Sequence, residues 1–99
     1  MNGRLIHIFK YKIADVGETG EFTVSIPAGA ILVDIAIQRE AIFAWCQVTQ
    51  SKPTDYTFCI VETGKGFTEN IRLVPIRSLL HLDGAYVVHV YAERVMVAR

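Results

Sequence analysis

Glu21–Val48 reads EFTVSIPAGAILVDIAIQREAIFAWCQV, and this stretch decides the fold. Apolar residues alternate strictly at Phe22, Val24 and Ile26, and again at Ile31, Val33, Ile35 and Ile37. That period of two belongs to strands with one face buried. Between the runs lies Pro27-Ala28-Gly29-Ala30, where proline fixes φ and glycine tolerates positive φ, so a tight corner is expected. Ile31–Gln38 and Ala41–Gln50 then form a hairpin about Arg39-Glu40. Tight two-residue turns favour Asn-Gly or Asp-Gly, so a longer or bulged connection is expected there.

Outward from this stretch the same pattern continues. Leu5–Ile13 reads as a first strand, with Leu5, His7, Phe9, Tyr11 and Ile13 on one face and Ile6, Ile8, Lys10 and Lys12 on the other. Ala14–Gly20 is a glycine-punctuated loop, and Ser51–Asp55 (SKPTD) reads as a break and a mobile tip. Tyr56–Thr63 is a fifth strand, and Gly64–Asn70 is a flexible segment. Pro75 makes Ile71–Leu82 an edge strand, a bulged strand or two short ones, because proline cannot donate to a ladder. Asp83-Gly84 is the best hairpin signal, Ala85–Tyr91 closes the set, and Glu93–Arg99 extends that strand or frays as a flexible tail. No helical stripe of useful length is present. The fold class is all-β: one domain over residues 1–99, an antiparallel sandwich or barrel of about seven short strands.

Composition narrows the class of partner. The chain of 99 residues has ten basic and ten acidic side chains and a formal net charge of zero. Nucleic-acid surfaces draw most of their affinity from basic stripes, and none is visible, so nucleic acid is not the expected partner. No stretch approaches the ~20 apolar residues of a membrane helix, and the N-terminus lacks a signal peptide's apolar core. A cytoplasmic protein without a membrane partner is therefore expected. Cys46 and Cys59 sit singly in apolar runs and read as reduced, buried small hydrophobes, a disulfide between neighbouring strands being the alternative.

Hydrophobic residues make up 52% of the chain, and several strands are apolar on both faces. Ile42, Ala44, Cys46 and Val48 back against Phe43 and Trp45, while Tyr86, Val88 and Val90 back against Val87. A lone small sandwich wets its outer faces, so another copy of the chain is the expected cover. The competing account is cover by the chain's own loops and the Ile71–Leu82 segment.

Ile26–Ala30, the following ILVDIAIQ, the aromatic AIFAWCQV, the Glu62–Gly66 turn and the closing GAYVVHVY, taken in this order, resemble a family of small domains of unknown function found mainly in bacteriophage and prophage genomes. That family shows a PAGA corner, a Leu-Trp-Ala strand, a Gly-Thr-Gly-His turn and a C-terminal VxHV-aromatic strand. The present sequence departs from it at Phe43-Ala44-Trp45, at Arg39-Glu40 and at Lys65-Gly66, where the family tends to carry histidine. The resemblance implies a phage accessory protein working in the infected host's cytoplasm, in host takeover or counter-defence. Small phage β-proteins of that kind act by binding: some occlude a host protein, others hold a signalling nucleotide.

Catalytic sets are sparse. His7, His81 and His89 have no metal-ligand spacing, and Ser25, Ser51 and Ser78 lie in no GxSxG elbow. His89 and His7 read as core histidines bonded to backbone carbonyls, with proton transfer as the alternative role, and His81 reads as surface. Gly64-Lys65-Gly66 lacks Walker spacing and a following helix, and Glu62 and Glu69 flank it, so it reads as a turn. Neither a cofactor nor a metal is expected. A non-catalytic homo-oligomeric binding protein is the favoured reading. For a nucleotide ligand, Trp45 or Tyr91 would supply the aromatic platform and Lys65, Arg72 or Arg77 the cation, with His89 nearby. A small hydrolytic or isomerising enzyme with a histidine base and a minor structural virion component are the alternatives.

Overall fold

The computed structural model describes residues 3–97. Seven strands occur in order: β1 (His7–Asp15), β2 (Gly20–Pro27), β3 (Ile31–Gln38), β4 (Ala41–Val48), β5 (Pro53–Glu62), β6 (Leu73–His81) and β7 (Tyr86–Glu93), followed by a 3-10 turn at Arg94–Met96. They form two antiparallel sheets, β1-β4-β3 and β2-β5-β7-β6, packed as a sandwich. One shared core lies between them, built around Phe58, Ile26, Ile35, Ile42, Ile60 and Val88, all fully buried.

The PAGA corner carries the chain from one sheet to the other. Gly29 adopts φ 77, and its N–H donates to the Tyr56 hydroxyl at 3.0 Å. The Ala28 N–H donates to the Lys52 carbonyl at 2.7 Å, so the corner is fastened to the segment entering β5. This fastening corrects the mobile tip expected at Ser51–Asp55. Pro53, Thr54 and Asp55 belong to β5 and lie opposite Pro27, Ile26 and Ser25. Pairing with the end of β2 outweighs the loop-like composition, and the two prolines face each other at the end of the ladder, where a missing N–H costs least.

The connection at Arg39-Glu40 is also corrected. Gln38 pairs directly with Ala41, and Arg39 and Glu40 adopt φ 52 and φ 63. The hairpin is thus a two-residue turn of left-handed residues, made without asparagine or glycine. At the β6–β7 hairpin the turn falls as expected, with Leu82, Asp83 and Gly84 at φ 52, 54 and 86. Pro75 sits in edge strand β6 next to a bulge between Pro75 and Arg77.

The expected tail begins inside β7, whose last residue is Glu93. Met96 of the 3-10 turn is fully buried in the shared core. Ala98 and Arg99 lie outside the described residues.

Strand order forces one long connection. β7 lies between β5 and β6 and is antiparallel to both, so β5 and β6 run parallel and the chain must return along the sheet between them. Residues 63–72 make this return over the outer face, from the level of Val88 to that of Glu93.

Candidate functional site: the strapped face of the four-stranded sheet

The return segment works as a strap. Cys59 and Val61 of β5 and Leu73 of β6 form a second buried cluster on the outer face, with Tyr91 of β7 packed against it. Phe67 supplies the cover: its ring meets Tyr91 edge-on, centroids 5.3 Å apart and planes at 64°. A hollow flanks the strap on each side. One, of about 550 Å³, is lined by Gly20, Glu21, Cys59, Lys65 and Phe67 among others. The other, of about 440 Å³, is lined by Cys59, Phe67, Asn70, Tyr91 and Arg94 among others. Two aromatic rings thus stand at the centre, with Lys65 beside Glu21 and Glu62 at one flank and Arg94 beside Glu69 at the other.

The sequence-derived site residues divide between distant places. Lys65 and Tyr91 line the strapped face, and the Arg72 backbone ties the strap's end to the 3-10 turn, its carbonyl accepting from the Arg94 N–H at 2.8 Å. Arg77 points elsewhere. The β6 bulge aims it at β3, where Nη1 meets Asp34 Oδ1 at 2.6 Å, joining the edges of the two sheets. Trp45 lies on the outer face of the other sheet, 6.0 Å from the Phe43 ring. There the Lys10 ammonium stands 4.7 Å over Phe43 and donates to Gln38 Oε1 at 2.7 Å. A single pocket of Trp45, Tyr91 and Arg77 does not form. Phe67 and Arg94 were missed by sequence reasoning. Only the parallel relation of β5 and β6 brings Phe67 over Tyr91, and no local pattern carries that relation.

The histidines depart from the expected roles. His89 is on the outer face beside Tyr91, with Nε2 2.6 Å from the Thr63 hydroxyl and Nδ1 2.7 Å from the Ser78 hydroxyl. A neutral ring has one donor and one acceptor nitrogen, so one hydroxyl donates to it and the other accepts. Side-chain hydroxyls therefore replace the backbone carbonyl expected for a core histidine. His7 is exposed and stacks on Phe9 at 5.5 Å, interplanar angle 5°. His81 is partly sheltered, with Nε2 3.0 Å from Glu40 Oε1 and its ring edge-on to Tyr86.

Cys46 and Cys59 are both free and buried. They belong to different layers: Cys46 is in the core between the sheets, and Cys59 is beneath the strap. Burial pushes the Cys46 thiol up to about 11. Burial first, then the charge of Glu21, raises the Cys59 thiol above its ordinary value. Neither is an activated nucleophile, since activation requires a lowered thiol pKa. Among the described residues no cluster of three metal-ligating side chains occurs, and no helix is long and apolar enough to cross a membrane.

The fold and the strapped face define a seven-stranded antiparallel domain with an aromatic-centred cleft on one sheet. A family profile described as "Domain of unknown function (DUF7352)" matches residues 6–98, and the chain belongs to that family. No curated protein and no solved structure matches the chain.

Proposed function

We propose that this chain is a phage accessory protein that acts by binding rather than by catalysis, as a homo-oligomer in the cytoplasm of the infected host. Its role in host takeover or counter-defence is to sequester a small nucleotide signal, with occlusion of a host protein as the other mode. The observation that carries the nucleotide reading is the Phe67–Tyr91 pair, with Lys65 at one hollow and Arg94 at the other. A base has an aromatic face to stack and phosphates that call for cations, so those residue types suit it. Oligomerisation is supported by apolar side chains left in the open at Leu5, Ile6, Ile8, Phe9 and Val33.

Native mass spectrometry on protein purified from cells with active immune signalling tests the reading. A bound small molecule retained by the wild type and lost in Lys65→Ala and Arg94→Ala supports it. A clean apo mass in every preparation overturns the nucleotide version.

The Ser78–His89 contact favours a second reading, a small hydrolytic enzyme in which His89 takes the Ser78 proton. Under that reading His89→Gln abolishes turnover of an activated ester, whereas the binding reading predicts no turnover by the wild type.

A further inference from the structure

Each sheet has two edges, and the four edge strands are β1, β3, β2 and β6. An open edge presents unpaired backbone groups, and most proteins blunt such edges with proline, bulges or charge. Edge β6 carries Pro75 and a bulge. Edge β3 is bulged between Leu32 and Asp34, and Asp34 is paired with Arg77 of the opposite sheet. Edge β2 shows solvent Glu21, Thr23 and Ser25 and ends at Pro27. In β1 the second half has Lys10, Lys12 and a bulge between Lys12 and Ala14.

The first half of β1 has none of these devices. His7–Phe9 pairs with β4 on one side only, and among the described residues no strand occupies its other side. The side chains there are apolar on both faces and open to solvent. Ile8 is 56% exposed and Phe9 50%, and just before the strand Leu5 is 75% and Ile6 49% exposed. A loop laid on one face would cover half of them and leave the backbone edge unpaired. Water satisfies the exposed backbone groups but leaves the side chains bare, whereas another strand added at that edge pairs the backbone and brings apolar neighbours to both faces at once.

We propose that β1 pairs antiparallel with β1 of a second copy about a twofold axis at Ile8, fusing the two β1-β4-β3 sheets into one continuous sheet. This inference rests on the homo-oligomer reading above and names its interface. A twofold axis requires a self-complementary strand. The sequence meets that requirement: Ile8 faces the partner's Ile8, while His7 lies opposite the partner's Phe9 and Phe9 opposite the partner's His7. His7 and Phe9 already stack within one chain at 5.5 Å, so the pairing extends that stack across the axis on one face. On the other face Ile6 lies opposite the partner's Lys10, whose ammonium is turned across β4 to Phe43 and Gln38 and leaves the seam uncharged.

Light scattering coupled to size exclusion, run on wild type, Ile8→Glu, Ile8→Lys and an equimolar mixture of the two variants, tests the axis. The wild type is expected to be dimeric. Each variant alone sets like charges against each other and weakens the dimer by about tenfold or more, while the mixture sets opposite charges together and restores it. Ile8 is half-exposed, so both variants are expected to fold; should either fail to, Phe9→Ser, which removes the half-exposed ring set opposite the partner's His7, takes its place with the same expected weakening. A dimeric wild type with dimeric variants overturns the β1 edge and leaves the homo-oligomer reading standing. Monomeric variants that do not recombine in the mixture overturn the axis at Ile8. A wild type monomeric at every concentration overturns both.

Discussion

Phe67 stands edge-on to Tyr91 at 5.3 Å and divides what would be one trough over β5 and β7 into two hollows. The ring is 49% exposed, so it is held by one face of contact rather than by enclosure. Phe67→Ala should lower stability by about 1 kcal/mol, the scale of an aromatic pair plus partial burial. It should also open Cys59, which is 5% exposed beneath the strap, to a thiol reagent while Cys46 stays protected. Labelling followed by peptide mapping reads the difference; equal protection of both thiols in the variant would show that the strap does not depend on Phe67.

Tyr56→Phe tests the corner that joins the sheets. The Gly29 N–H would lose its 3.0 Å acceptor in a partly buried position. A loss of about 1–2 kcal/mol is expected in denaturant unfolding, with the slope unchanged, because a donor is left unpaired rather than replaced.

Met96→Ala separates a docked C-terminal turn from a loose tail. Met96 is fully buried, so truncation should cost about 2–5 kcal/mol. A loss of no more than about 0.5 kcal/mol in thermal melting would mean that Arg94–Met96 contributes no packing.

Arg39→Asn should stabilise the chain. Arg39 is held at φ 52, a conformation that costs a side chain with a Cβ about 1 kcal/mol and asparagine less. A gain of about 0.5–1 kcal/mol is expected, read as a raised denaturation midpoint.

Stability should fall in alkali through Cys46. Its folded thiol is raised from 9.0 to about 11 by burial, so between those values the unfolded chain ionises this group while the folded chain does not. The folded state therefore binds the extra proton, and its advantage is present below pH 9 and is lost as pH rises towards 11. In Cys46→Ala the decline of melting temperature across that window should be shallower than in wild type. An unchanged slope would show that Cys46 does not titrate with unfolding.

The strands were legible because their pattern is local. Ile31–Gln38 has the same limits by alternation and in the structure, and Pro75 marks a real edge and bulge. Legibility failed where a distant partner decides. Lys52 and Pro53 resemble a loop until the PAGA corner and β2 pair with them. Arg39-Glu40 has poor turn chemistry, yet the ladder from Gln38–Ala41 inward imposes the tight turn. At the site, Tyr91 could be singled out as an aromatic, but its neighbours could not. Lys65 and Phe67 reach it through the path of the strap, and Arg77 is diverted to Asp34 by a bulge whose position depends on register with β7. The apolar excess was half explained from within: the strap covers Cys59 and Val61, while the first half of β1 stays bare.

The place of β7 bears on how the molecule is made. β7 comes after β5 and β6 in the sequence yet must sit between them, so the four-stranded sheet stays divided until Tyr86–Glu93 has been made. The β1-β4-β3 sheet, in contrast, has all its members once residue 48 has emerged. Assembly should then proceed in two unequal stages, an early scaffold and a late keystone. A chain cut short before Tyr86 would keep the scaffold's strands and leave β5 and β6 facing each other across a vacant lane.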